Sequence, residues 1–258
     1  MTRTTADTID RFNRAFADHD PEALTGLIGA DCVMEAIQPA PDGTRTEGRD
    51  ECLAFWRALA SDRGTLFEPE DVSIDGERAT IRWRYHFGDG PGDSVRGVTL
   101  VRVRDGLIVE ALAYSKTGDV PLAAETGGPG GVDGAAAGGA AGVRTTREVL
   151  DRYNEAFRLH EPGLLTDLIA DDCVIEDSGP APDGVNRVGG AACLARWSEL
   201  AGDPALTFTP EPADVHGDLA VQPWGLRWGD GEQDRVRGVN LLRIRGGRIV
   251  EARGYVKA

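Results

Sequence analysis

The residues in this chain best suited to chemistry are one acid, one phenol and one amide. Cys173, Ile175 and Asp177 alternate along an expected strand, so they share a face, and Asp177 stands as an acid at the end of an otherwise apolar row. Burial disfavours the charged form of a carboxylate and raises its pKa, which is how a general base is tuned toward neutral pH. Tyr153 follows Val149 and Leu150 on a helical stripe, and Asn240 alternates with Leu242 and Ile244, so both polar tips can face the same interior. Two other readings of Asp177 stay open. Followed by Ser178-Gly-Pro, it can cap a turn, or it can hold a ligand without reacting. Aromatic residues form the second group. Trp83, Tyr85 and Phe87, and separately Trp224 and Trp228, fall on the strand face expected to point inward. With Ile175 and Trp197 they can line an apolar ligand pocket, or they can simply be core.

The elements that must position these groups come in two copies. Asn13-Arg-Ala-Phe16 recurs as Asn154-Glu-Ala-Phe157, and Pro39-Ala-Pro-Asp-Gly43 as Pro180-Ala-Pro-Asp-Gly184. The offset is 141 residues in both, and it also relates Trp56 to Trp197, Arg96 to Arg237 and Tyr114 to Tyr255. Laid over one another without a gap, residues 4–117 and 145–258 are identical at 54 of 114 positions, which a shared fold alone does not produce. The expected organisation is a first domain over 1–118, a Gly/Ala-rich flexible linker over 119–143 and a second domain over 144–258.

Within the first copy, Ile9, Phe12 and Phe16 mark a helix with Thr4 or Thr5 as N-cap, and Asp20-Pro21-Glu22 opens a second short helix through Ile28. Cys32 to Ile37 alternates as a strand. Asp50 to Leu59 is a third helix with Cys52, Phe55, Trp56 and Leu59 on one face. Thr80 to Phe87 alternates strictly, Gly88-Asp-Gly90 turns it, and Val95–Val103 and Leu107–Ser115 form a hairpin about Asp105-Gly106. The fold class expected is α+β, with three N-terminal helices per copy packed on a curved antiparallel sheet. Outward positions such as Val98, Leu100, Val239 and Leu241 are apolar and need cover, which suggests that the copies pair through their sheets. Glu35 and Glu176, with Arg96 and Arg237, belong to that outward face and are expected to pair across the interface between the copies. The repeated Pro-Ala-Pro-Asp-Gly reads as a rigid turn or as a lid.

That order of elements, with Asp-Cys-Val-Met-Glu after the second helix and Val-Arg-Asp-Gly-Leu-Ile-Val-Glu-Ala closing the copy, resembles the nuclear-transport-factor-2-like superfamily, in its SnoaL-like and ketosteroid isomerase-like branches. The resemblance implies two cone-shaped domains docked as an internal pseudo-dimer. It also implies an isomerase or cyclase type of proton transfer on a hydrophobic carbonyl or polyketide-like substrate, without a cofactor. Asp177 would then shuttle the proton while Tyr153 and Asn240 steady the developing oxyanion. The corresponding residues of the first copy are Ala36, Phe12 and Thr99, so only the second pocket is expected to be active. A catalytic Asp on the last strand, as in SnoaL-type cyclases, is missing from Ile249-Val-Glu-Ala-Arg-Gly254, and Arg237-Gly-Val-Asn240 lacks the Arg-x-Asp of limonene-type epoxide hydrolases. A binding or sequestering protein, and an epoxide hydrolase or cyclase of a polyether-like pathway, are the alternatives.

Bulk properties narrow the partners. A formal net charge of -15 repels phosphate backbones and anionic lipid, so nucleic acid is not expected as a partner. No apolar run approaches membrane length and no secretory signal opens the sequence, which makes the cytoplasm the expected location. Cys32, Cys52, Cys173 and Cys193 form no CxxC pair and read as buried thiols, and the histidines are not at metal-ligand spacing. A hydrophobic small molecule is the partner expected.

Overall fold

The computed structural model describes residues 3–90, 92–117 and 144–258; the expected linker lies outside them. The chain divides into two compact units, the first built on the first copy together with Gly179–Gly184 and Tyr255–Ala258, the second on the rest of the second copy.

In the first unit, α1 (Thr5–Ala17) starts at a capping box: the Thr4 side chain accepts from the Asp7 N–H while the Asp7 carboxylate reaches back to the Thr4 backbone. The helix buries Ile9, Phe12 and Phe16, as its periodicity requires. The expected second helix is a single 3-10 turn, Pro21–Leu24. Asp20 caps it, but Thr25 leaves helical geometry and Gly26 takes φ +79°, so the segment cannot continue to Ile28. Strand β1 (Ile28–Glu35) therefore begins four residues before Cys32. After β2 (Arg45–Glu47), α2 (Arg49–Ser61) buries Cys52, Trp56 and Ala60 with Leu53 packed beside them, while Phe55 and Leu59 are exposed.

Strands β3 (Leu66–Asp75), β4 (Arg78–His86), β5 (Ser94–Arg104) and β6 (Leu107–Ser115) follow as an antiparallel meander in sequence order. Strand β1 departs from the all-antiparallel expectation, since it lies parallel to β6 with Met34 opposite Ala111. On β4, Ile81 and Trp83 are buried and Tyr85 half-buried, but Phe87 falls past the strand end and is 51% exposed. It does not face the interior, because the pleat that would aim it stops at His86.

The second unit repeats this plan. It contains α3 (Thr146–Leu159), a 3-10 turn (Pro162–Leu165), β7 (Ile169–Glu176), β8 (Asn186–Val188) and α4 (Gly190–Gly202). The strands β9 (Thr207–Pro210), β10 (Asp214–His216), β11 (Leu219–Arg227), β12 (Arg235–Arg245) and β13 (Arg248–Val256) follow. The long β3 of the first copy is split into β9 and β10, where Pro212 takes the place of Asp71 and has no N–H for the ladder. Each copy thus holds two α-helices and one 3-10 turn among the described residues, not three α-helices. His19 and His160 sit just past α1 and α3 with φ 51° and 55°, and their Nδ1 atoms lie 3.3 and 3.1 Å from the carbonyls of Ala60 and Ala201. All four cysteines are buried and reduced. Among the described residues no helix is long and apolar enough to cross a membrane.

The two borrowed segments are tightly bound within the first unit. Val256 pairs with Ser115 of β6, and the Ala258 N–H donates to Ile37 O at 3.0 Å. Lys257 is fully buried: its Nζ donates to the carbonyls of Ala36 and Ala113, each at 2.9 Å, and lies 4.5 Å from the centre of the Tyr114 ring. In the Pro180–Gly184 turn, Pro182 O accepts from Arg96 N–H and the Asp183 carboxylate from Arg84. These bonds favour the rigid-turn reading of that motif over a lid. Of the outward charges, Arg96 pairs with Glu70 at 2.7 Å, Glu35 with Arg45 at 3.3 Å and, in the second unit, Arg237 with Glu211 at 3.5 Å.

Candidate active site

The second unit assembles its polar residues from α3, β8, α4, β12 and the end of β7. The capping box of α3, in which Thr145 and Glu148 exchange hydrogen bonds, fixes the start of the helix, and two turns later Tyr153 points into the core. Its ring packs edge-on against Trp197 of α4 at 5.1 Å and beside Phe157 at 4.8 Å. The phenol oxygen accepts a hydrogen bond from Asn240 Nδ2 of β12 at 3.3 Å. Burial holds the Tyr153 hydroxyl well above its ordinary pKa; the negative charge of Asp177 adds to this and the Asn240 hydrogen bond works against it. Tyr153 is therefore a neutral hydrogen-bond donor across the physiological range, and the Asn240 bond leaves its proton to point elsewhere.

Asp177 follows directly on β7, with its backbone N–H donating to Val185 O at 2.9 Å. Asp177 does not stand alone at the end of an apolar row. The carboxylate accepts from Arg187 Nε at 2.9 Å, and Arg196 Nε stands 3.8 Å away. Arg187 comes from the three-residue β8 and Arg196 from α4, on the same helix as Trp197. The structure thus brings Tyr153 and Asn240 into direct contact and sets the charge of Asp177 near enough to act on the phenol.

The pocket candidates divide. Ile175 and Trp197 are buried in the apolar cluster behind Tyr153. Trp224 is buried on β11 and lies over Gly238 of β12, where a Cβ would sit 2.3 Å from its ring. Trp228 is one residue beyond β11, half-buried in the hairpin where its N–H donates to Asp234 O. In the first unit Trp83 is buried and its Nε1 donates to Thr99 Oγ1 at 2.9 Å, while Tyr85 stacks loosely with Phe87 at 6.3 Å.

The sequence reading missed Arg187, Arg196 and a second buried polar pair, in which Asn154 Nδ2 donates to Gln222 Oε1 at 2.7 Å. A signal was present: the first copy has Thr46, Phe55 and Ile81 at the positions of Arg187, Arg196 and Gln222, and Ala113 where Gly254 leaves room beside Asn240 Oδ1. These four differences, with those at Tyr153, Asp177 and Asn240, fall around one interior.

The family model for the SnoaL-like domain matches residues 9–111 and again 150–252. This chain is a SnoaL-like protein. Both SnoaL-like copies are covered nearly end to end, in agreement with a tandem duplication. Among solved structures, an NTF2-like protein of unknown function from Mesorhizobium loti is 48% identical over 44% of this chain and 91% of its own, with a TM-score of 0.42. A putative polyketide cyclase from Sinorhizobium meliloti is 25% identical over 42% and 93%, TM-score 0.35. A putative ketosteroid isomerase from Kribbella flavida is 21% identical over 53% and 95%, TM-score 0.37. A search of curated proteins finds no match.

Proposed function

We propose that the second SnoaL-like domain is a cofactor-independent enzyme that moves a proton on a hydrophobic, carbonyl-bearing small molecule, and that the first domain is inert. The observation that carries this reading is the buried Asn240–Tyr153 hydrogen bond beside the charge of Asp177, a constellation that replaces Thr99, Phe12 and Ala36. In the proposed step the Asp177 carboxylate takes a proton from the carbon next to the carbonyl, and the C–H electrons move to form an enolate. Tyr153 donates its hydrogen bond to the enolate oxygen, with Asn240 holding the phenol in that direction. The same carboxyl then returns the proton to carbon, so the reaction needs no redox partner. Trp197, Trp224 and Ile175 would line the apolar side of the ligand.

The ion pairs on Asp177 support a second reading, a binding protein in which the carboxylate anchors Arg187 and Arg196 around a ligand. The Asp177→Asn variant separates the two. Exchange of α-protons in a cyclic enone, followed by NMR in deuterated buffer, should fall by about 10²- to 10⁴-fold in an enzyme while enone affinity is kept. A wild-type protein that binds the enone without accelerating exchange leaves the binding reading. We also propose that the copies, bounded as 1–118 and 144–258, pair through their sheets; the outward apolar rows of Val98, Leu100, Val239 and Leu241 support this. Cleavage of the linker followed by co-migration on size exclusion tests it, and separation of the halves would refute it.

A further inference from the structure

Trp83 and Trp224 are the same residue of the repeat, and each lies over the glycine opposite it, Gly97 or Gly238. A Cβ on either glycine would meet the indole at 2.1 or 2.3 Å, so each ring is held in one orientation. Their N–H groups meet different fates. In the first copy Trp83 Nε1 donates to Thr99 Oγ1. In the second copy Thr99 has become Asn240, whose amide donates instead to Tyr153, and Trp224 Nε1 is buried with no hydrogen-bond partner. A buried donor without an acceptor is costly, and native proteins keep few of them. The duplication supplies the control, since one threonine is enough to satisfy this donor.

We infer that Trp224 Nε1 donates to the ligand oxygen that Tyr153 also addresses, so that the site takes a ligand presenting one oxygen, a ketone in the ground state and an enolate or phenolate when charged, to two converging donors. The inference rests on the proposed proton-transfer site and sharpens its substrate class. Tyr153 and Trp224 are linked through Asn240, which contacts the phenol and holds the position from which the first copy caps its indole. The N–H is shut off from water, so the oxygen reaches it only as neighbouring side chains part, and it meets the donor in a dry setting where one hydrogen bond counts for more than in water. Trp224 is then a binding residue chosen by hydrogen bonding and not by apolar area alone.

The probe is 4-nitrophenol, whose phenolate absorbs apart from the neutral phenol. Wild-type protein should bind the phenolate, and Trp224→Phe should weaken that binding about ten- to hundredfold, the worth of one hydrogen bond to a charged group. Because Trp224→Phe can also disturb packing, the indole N–H is followed directly in wild-type protein by ¹H–¹⁵N NMR. The Trp224 resonance, assigned by its loss in Trp224→Phe, should move downfield when phenolate binds, and that of Trp83 should stay. If Tyr153→Phe weakens phenolate binding while Trp224→Phe leaves it unchanged and the Trp224 resonance does not move, this inference fails and the proposed site stands. If wild-type protein does not bind the phenolate, or Tyr153→Phe binds it as wild type does, the proposed oxyanion site fails and the inference falls with it.

Discussion

Phe12 and Tyr153 occupy the same place in the two copies, and their rings pack almost alike. Phe12 meets Trp56 edge-on at 5.3 Å and 83°, Tyr153 meets Trp197 at 5.1 Å and 72°. What differs is one hydroxyl and the residues that respond to it. In the first copy the interior around this ring is closed by apolar groups, Ile81 and Trp83 among them, and the Trp83 indole N–H is satisfied within it by Thr99. In the second copy, Asn240, Gln222, Asp177, Arg187 and Arg196 have entered the same frame. The pair teaches that the scaffold's stability and its polar interior are separable, because one version keeps the packing without the polar set.

The comparison can be broken most forcefully at Asp177. Giving it the first copy's residue, Asp177→Ala, should lower enone proton exchange by about 10²- to 10⁴-fold, whereas substitutions at Ala36 should leave exchange untouched. An equal loss from either copy would end the claim that only one is active. Glycine is the next test, and here the copies should behave alike: Gly97→Ala and Gly238→Ala both drive a Cβ into an indole, and each should cost about 1–3 kcal/mol in chemical denaturation. Indifference at Gly238 would mean that the Trp224 ring is not fixed as described.

A similar cost is expected from Phe12→Tyr. It introduces the hydroxyl without its amide, since Thr99 is already engaged by Trp83, and should destabilise by about 1–3 kcal/mol without creating activity. The smallest effect concerns pH. Folding raises the Tyr153 pKa above the ordinary value of 10.0, so the folded state holds this proton where the unfolded chain releases it. The associated stability is fully present below about pH 10 and declines as pH rises past the unfolded pKa. Alkaline denaturation of wild type compared with Tyr153→Phe, together with tyrosinate absorbance, checks the sign. A tyrosinate signal from Tyr153 at its ordinary pH would overturn it.

The repeat, the period-two strands and the helix bearing Tyr153 were legible because each rests on local spacing. The short 3-10 turns were not, since Asp20-Pro21-Glu22 opens a helix of any length and only the backbone at Thr25 and Gly26 stops it. Phe87 misled for a related reason: alternation says which face a residue takes while the strand lasts, and not where the strand ends. Tyr153, Asn240 and Asp177 could be named from the sequence, but the company Asp177 keeps could not. Arg187 and Arg196 lie 10 and 19 residues downstream, on a three-residue strand and a helix whose relation to Asp177 is purely tertiary.

The segment Tyr255–Ala258 has a consequence for how such a protein comes into being. Val256 pairs with Ser115, and Lys257 fills a site made by the carbonyls of Ala36 and Ala113, yet these residues are synthesised some 141 to 221 positions after their partners. While the second copy is still being translated, the first carries an open strand edge and two backbone acceptors awaiting an ammonium group. Its completion is tied to the making of its twin.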